Sequence, residues 1–226
     1  MSSKQIAYTK LISRFKQYKF EGLALENPFN LKVSSELPDH LNPWAHWQGK
    51  LDAKILLIGQ DWGDVNFYHT NGGKDPDDGN LTNEALNKLF SSIGYEIGTP
   101  GNPSKTAPVY FTNAVLGLKT GGMAAPIKTK WYTSTINEFL KPLIEDVIQP
   151  EIIIAMGSKA FDAAFRMYNL SKMPFKAATE KGGFDLPNGR KLYIVAHCSR
   201  LGQANRNFEL QLKDWCMIKQ FLNELK

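Results

Sequence analysis

The chain has 226 residues, 42% of them hydrophobic, with 27 Lys and Arg against 22 Asp and Glu for a net charge of +5. That suffices for one substantial core, suits a polyanionic partner without requiring one, and leaves only Cys198 and Cys216, too few for a disulfide framework or an iron–sulfur cluster. No apolar run approaches the roughly eighteen residues of a membrane span and the opening MSSKQIAYTK has no signal core, so a soluble, cytoplasmic protein with no membrane contact is expected.

Ser3 to Tyr18 reads as an amphipathic helix with Ile6, Leu11, Ile12 and Phe15 on one side. Lys19 to Gly49, with prolines at 28, 38 and 43, shows no period and reads as a wrapping segment. A single domain over 1–226 is expected, with 1–50 its N-terminal helix and wrap. One pattern then recurs: a short apolar run, a Gly or polar break, and a helical stretch. The runs are Ile55–Ile58, Val109–Thr112, Ile152–Met156 and Leu192–Ala196; the helices are Thr82–Ile93, Ser134–Ile148, Ser158–Tyr168 and Gln203–Leu225. The runs are continuous rather than alternating, as in strands buried on both faces. They predict an α/β fold, a three-layer α/β/α arrangement with a four-stranded, mostly parallel central sheet. Asn188-Gly189 suits a hairpin over Phe184–Tyr193 feeding the last strand, and Asn71–Asp78, NGGKDPDD, reads as part of a long flexible loop.

Open parallel sheets bind ligands beyond the carboxyl ends of their strands. Here those ends carry Gln60-Asp61, Asn113, Gly157-Ser158 and His197. Asp61 reads as a carboxylate that orients water or stabilises a developing cation, or as a helix cap or loop carboxylate paired with a lysine. His197 reads as a catalyst or as a hydrogen-bonded core histidine. Asn113 reads as a base-edge reader, since its amide both donates and accepts, or as a loop tie. Trp44, Trp47 and Trp131 read as packing. His40, His46, His69 and His197 are scattered and form no metal set; no nucleophile elbow and no phosphate-cradling GxxxxGK is present.

Four motifs, all between Lys54 and Asn205, resemble those of the uracil-DNA glycosylase superfamily. Gly59-Gln60-Asp61 resembles the motif Gly-Gln-Asp-Pro-Tyr, whose Asp orients water and stabilises the sugar cation. Tyr110-Phe111-Thr112-Asn113 resembles the strand end whose Asn reads the uracil edge. Ala155-Met156-Gly157-Ser158 resembles the turn that grips a phosphate beside the flipped nucleotide. His197-Cys198-Ser199-Arg200-Leu201 resembles His-Pro-Ser-Pro-Leu, whose His polarises the uracil O2 and whose Leu wedges into the duplex.

The resemblance implies a monofunctional DNA N-glycosylase of base excision repair that excises uracil or a related damaged base, without cofactor or metal, as a monomer on DNA. Asp61 and His197 are then catalytic; Gln60, Asn113 and Phe67 face the base; Gly157, Ser158, Ser199, Arg200 and Leu201 hold DNA. The alternatives are a non-catalytic base-binding member of the same superfamily and a nucleotide- or nucleoside-directed enzyme. Trp62 and Gly63 depart from the Pro and Tyr of the most selective branch, so Gly63 is expected to leave room beside the pyrimidine C5. Cys198 and Arg200 stand where the second motif has prolines, and Phe67 or Tyr68 is the candidate for the stacking aromatic.

Overall fold

A computed structural model describes the chain except residues 32, 34–38, 78 and 225–226. Pro38, Asp78 and Leu225, which belong to the expected wrap, loop and last helix, lie outside the described residues. The four apolar runs form the parallel strands β2 (Ile55–Gly59), β3 (Val109–Asn113), β5 (Ile152–Met156) and β7 (Lys191–Val195). The sheet has five strands rather than four, because the expected hairpin adds β6 (Phe184–Asp185) antiparallel along the edge of β7. Asn188 turns that hairpin in the left-handed region at φ 65°, a conformation Asn tolerates better than most residues.

Each parallel strand is buried on both faces, and its side chains alternate between two cores. Leu56, Ile58, Tyr110, Ile153 and Ile194 point into a core shared with α1 (Ser3–Lys16) and α5 (Ser158–Met167). Ile55, Leu57, Phe111, Ile154 and Val195 point into the other, shared with α3 (Leu81–Ser92) and α8 (Phe208–Glu224). This is the three-layer arrangement the continuous runs predict.

Several expectations are corrected in detail. On α1, Tyr8 joins Leu11, Ile12 and Phe15 in the core while Ile6 is exposed; the Tyr8 hydroxyl meets that of Tyr110 at 2.8 Å, which keeps its burial cheap. The stretch expected as a helix over 134–148 winds wider than α over Ile136–Leu140 and Leu143–Ile148. Pro142 between them has no N–H to give and crowds the preceding turn. The last helix is two, α7 (Arg200–Asn205) and α8, because Arg206 is extended and the Asn207 side chain accepts from the Leu210 N–H to open a new helix. Two short helices, α4 (Thr129–Thr133) and α6 (Phe175–Glu180), fill connections, and α2 (Val65–Thr70) follows the turn after β2. The wrapping segment supplies β1 (Leu25–Glu26), which pairs antiparallel with β4 (Leu118–Lys119).

The sheet order is β3-β2-β5-β7-β6. The chain leaves β2 for β3 on one side and then crosses to β5 on the other. The crevice beyond the carboxyl ends of β2 and β5 is thus the topological switch point, where open α/β sheets place ligands.

Candidate active site

Register brings the expected strand ends together: Gly59 of β2 is level with Asn113 of β3, and Met156 of β5 with Val195 of β7. A cavity of about 420 Å³ there is lined by Gln60, Asp61, Phe67, Asn113, His197 and Ser199. A neighbouring cavity of about 530 Å³ shares Gln60, His197 and Ser199 and adds Gly157, Ser158 and Leu201. Of the ten expected site residues, Arg200 alone lines neither. It is exposed at the start of α7.

His197 is fixed by the turn that follows it. The Ser199 N–H donates to its Nδ1 at 3.1 Å, so the ring proton sits on Nε2. Burial lowers the imidazole pKa, partly opposed by the charge of Asp61. The result is a neutral donor near neutral pH. Ser199 spends its hydroxyl as the cap of α7, accepting from the Gly202 N–H at 3.4 Å. Gly202 packs so tightly on this turn that a Cβ would lie 1.8 Å from the His197 carbonyl oxygen, so only glycine fits. Cys198, where the superfamily motif has proline, is buried with its thiol pushed up to about 12 by desolvation, which makes it inert.

Asp61 faces a cation that the sequence reading did not single out. Lys119 Nζ lies 2.9 Å from its Oδ2, with the two side chains 4% and 14% exposed. The same ammonium donates to the Met123 carbonyl at 2.5 Å, and the Lys119 backbone N–H donates to the Gly63 carbonyl. The turn after β2 is thus gripped by β4, which in turn pairs with β1 of the wrap. The lysine-paired alternative for Asp61 is therefore met in the structure, inside the cavity and not on the surface. Asp64 beside it is a helix cap, accepting from the Phe67 N–H at 2.7 Å.

Asn113 donates its Nδ2–H to Asn42 Oδ1 at 2.9 Å, leaving its own carbonyl as the free pole. Gln60 is committed elsewhere: its Oε1 accepts from the Lys159 N–H in the first turn of α5. The Gly157 N–H is likewise spent on the Val195 carbonyl, so that turn offers a ligand the Ser158 end of α5 rather than Gly157. Arg206 lines the second cavity but is held bidentate by Asp214 at 2.6 Å; Lys176, also on its wall, forms no ion pair among the described residues.

The family model for the uracil DNA glycosylase superfamily matches residues 46–226. The chain belongs to the uracil DNA glycosylase superfamily. No curated protein matches it. Membership gives a glycosylase-type role in general and DNA as the class of partner. The match begins after Asn42 and Trp44, so the residue that holds Asn113 and one wall of the cavity come from outside it.

The expected room beside Gly63 is not empty. A Cβ there would meet Phe67 Cδ1 at 3.1 Å and Met123 Sδ at 3.2 Å, and Gly63 holds φ +153°, where a side chain is strained. Placing a tyrosine at 63 would therefore distort the turn and not only narrow the cavity. Phe67 packs against Trp62 with ring centroids 5.0 Å apart. In a glycosylase of this superfamily Met123 is then the removable wall. Met123→Ala should raise the single-turnover rate on 5-substituted uracil relative to uracil by about tenfold, the scale of one apolar group in a pocket. An unchanged ratio would move the C5 side away from Met123.

The sequence reading missed Lys119, Asp75, Met123 and Asn42. His40 and His46, read as scattered, meet ring to ring at 4.9 Å, and no group of metal-ligating side chains occurs among the described residues.

Proposed function

We propose that this protein flips uracil or a related damaged base out of DNA and hydrolyses its N-glycosidic bond, as a monofunctional glycosylase of base excision repair. The observation that carries the reading is the placement of Asp61 and a His197 with its proton on Nε2 in one cavity at the switch point. Breaking the bond separates charge into a sugar cation and a base anion. Asp61 answers the first by lying beneath the sugar with a water at its side. His197 Nε2–H answers the second by donating to the base oxygen where charge develops. Asn113 presents its carbonyl to the N–H of the base edge. Ser158 and Lys176, on the wall of the second cavity, face the DNA backbone, so binding weakens as salt rises.

Leu201 is 77% exposed and lines that cavity at the start of α7. It fills the stack vacated by the flipped base, offsetting part of the few kcal/mol that unstacking costs. Leu201→Ala is expected to slow excision from duplex DNA about tenfold more than from single strands, where no stack is opened. Equal losses on both would assign Leu201 to packing.

The non-catalytic reading draws on Lys119, whose charge partly neutralises Asp61. Incubation with single- and double-stranded uracil DNA followed by alkaline scission separates the two. Strand breaks at uracil support excision; tight binding without breaks supports a base-binding protein.

A further inference from the structure

Asn113 owes its orientation to a residue that lies before the matched region 46–226. Asn42, 1% exposed, caps the single helical turn Pro43–His46 of the wrap. Its Oδ1 accepts from the Trp44 N–H at 3.1 Å and from Asn113 Nδ2 at 2.9 Å. The turn is fastened to β3. Trp44 packs on Phe111 with ring centroids 4.8 Å apart, and the Phe111 N–H donates to the Gln48 carbonyl at 2.8 Å. Asn42 is therefore held against the strand end that carries Asn113.

A side-chain amide turned over exchanges its oxygen for its nitrogen, so something must decide which of the two the cavity meets. Here a backbone group decides. The Trp44 N–H can only donate, so the atom of Asn42 that meets it is the oxygen. That oxygen can only accept, so the atom of Asn113 that meets it is the nitrogen. The carbonyl of Asn113 is left over, on a residue that lines the cavity, and accepts from no group among the described residues. Gly59 makes room for it: a Cβ there would collide with Asn113 Oδ1 and with the Trp44 ring. The remaining amide atom of Asn42, Nδ2, is buried without a partner, so no other group depends on it.

We propose that Asn42 is a positioning residue that selects the base by holding Asn113 as an acceptor. This rests on the glycosylase reading above. Uracil presents an N–H at N3 beside its O4 oxygen, whereas cytosine presents a bare N3 beside its N4 amino group. A carbonyl held towards N3 accepts from uracil and meets the lone pair of cytosine. An amide free to turn over serves both bases, because it can donate to the cytosine N3 and accept from N4. Asn42 removes that freedom. The choice of base then traces back to one backbone N–H in the wrap, through two amides in series.

The test compares binding to single strands that carry one 2′-fluoro-arabino-uridine or one 2′-fluoro-arabino-cytidine, both resistant to cleavage. Asn42→Ser keeps a cap for the Trp44 N–H but is one atom shorter and releases Asn113. Asn42→Asp keeps the acceptor and gives up only the unpartnered Nδ2. The wild-type preference for the uridine strand is expected to fall about tenfold in Asn42→Ser, the scale of one paired base edge. It should persist in Asn42→Asp. The melting temperature of Asn42→Ser should stay close to that of the wild type, since the cap remains. Equal losses on both strands in Asn42→Ser would overturn the role of Asn42 while leaving the glycosylase reading intact. An Asn42→Ser protein that does not fold, or an Asn42→Asp protein that loses the preference to the same extent, would do the same. A wild-type protein with no preference for the uridine strand would overturn both.

Discussion

His197→Ala is expected to lower single-turnover release of uracil by about 10²–10³-fold, the cost of one donor aimed at a developing anion in a dry site. The imidazole is suited to that task because Ser199 N–H holds Nδ1 as an acceptor, which places the proton on Nε2, and because burial keeps the ring neutral. Alanine removes the donor and the acceptor of the Ser199 N–H but keeps the Cys198 thiol on the Thr82 carbonyl, the Ser199 cap and the close approach of Gly202 to the His197 backbone. DNA affinity should change little, because backbone contacts dominate it. A His197→Ala protein that releases uracil at the parental rate would remove His197 from the chemistry.

The Asp61–Lys119 pair gives the largest expected effect on stability. Removing one member of a buried ion pair leaves an uncompensated charge and costs about 3–5 kcal/mol. Asp61→Asn leaves the Lys119 ammonium, 4% exposed, with only the Met123 carbonyl and a neutral amide. The melting temperature should fall by on the order of 10 °C for a chain of this size. Adding Lys119→Met, apolar and similar in length, should restore most of the loss, because a buried pair replaced as a whole is nearly neutral. Thermal unfolding of the two single variants and the double variant closes the cycle. Additive losses would show that the pair is not coupled. Activity assays of Asp61→Asn therefore belong well below its unfolding temperature, since the lysine-paired reading of Asp61, met in Lys119, makes this substitution loosen the turn after β2 as well.

The parts of the molecule that were legible in the sequence are those whose cause is local. Ile55–Ile58 and Ile152–Met156 read as doubly buried strands because each is an unbroken apolar run, and the polar break after each run marks the rim where ligands bind. Asp61, Asn113 and His197 were legible because each follows such a run directly. Lys119 was not: it lies on a two-residue strand with no period, and its partner Asp61 is far away in sequence. Asp75 sits in a loop of glycines and acids that reads as solvent-exposed, and only the walls of Trp44 and Trp62 make it otherwise. The fifth strand escaped the count because two residues paired along an edge carry no pattern of their own. Gly63 misled for a similar reason. A glycine in a motif reads as open space, yet Phe67 and Met123 already occupy it.

Mass spectrometry of a uracil-containing oligonucleotide, incubated with the protein in excess, tests the central claim most directly. Hydrolysis of the N-glycosidic bond predicts an oligonucleotide of unchanged length that has exchanged uracil for a hydroxyl, together with free uracil, both formed about 10²–10³-fold more slowly with His197→Ala. An oligonucleotide of unaltered mass, at protein concentrations where binding is complete, would contradict it.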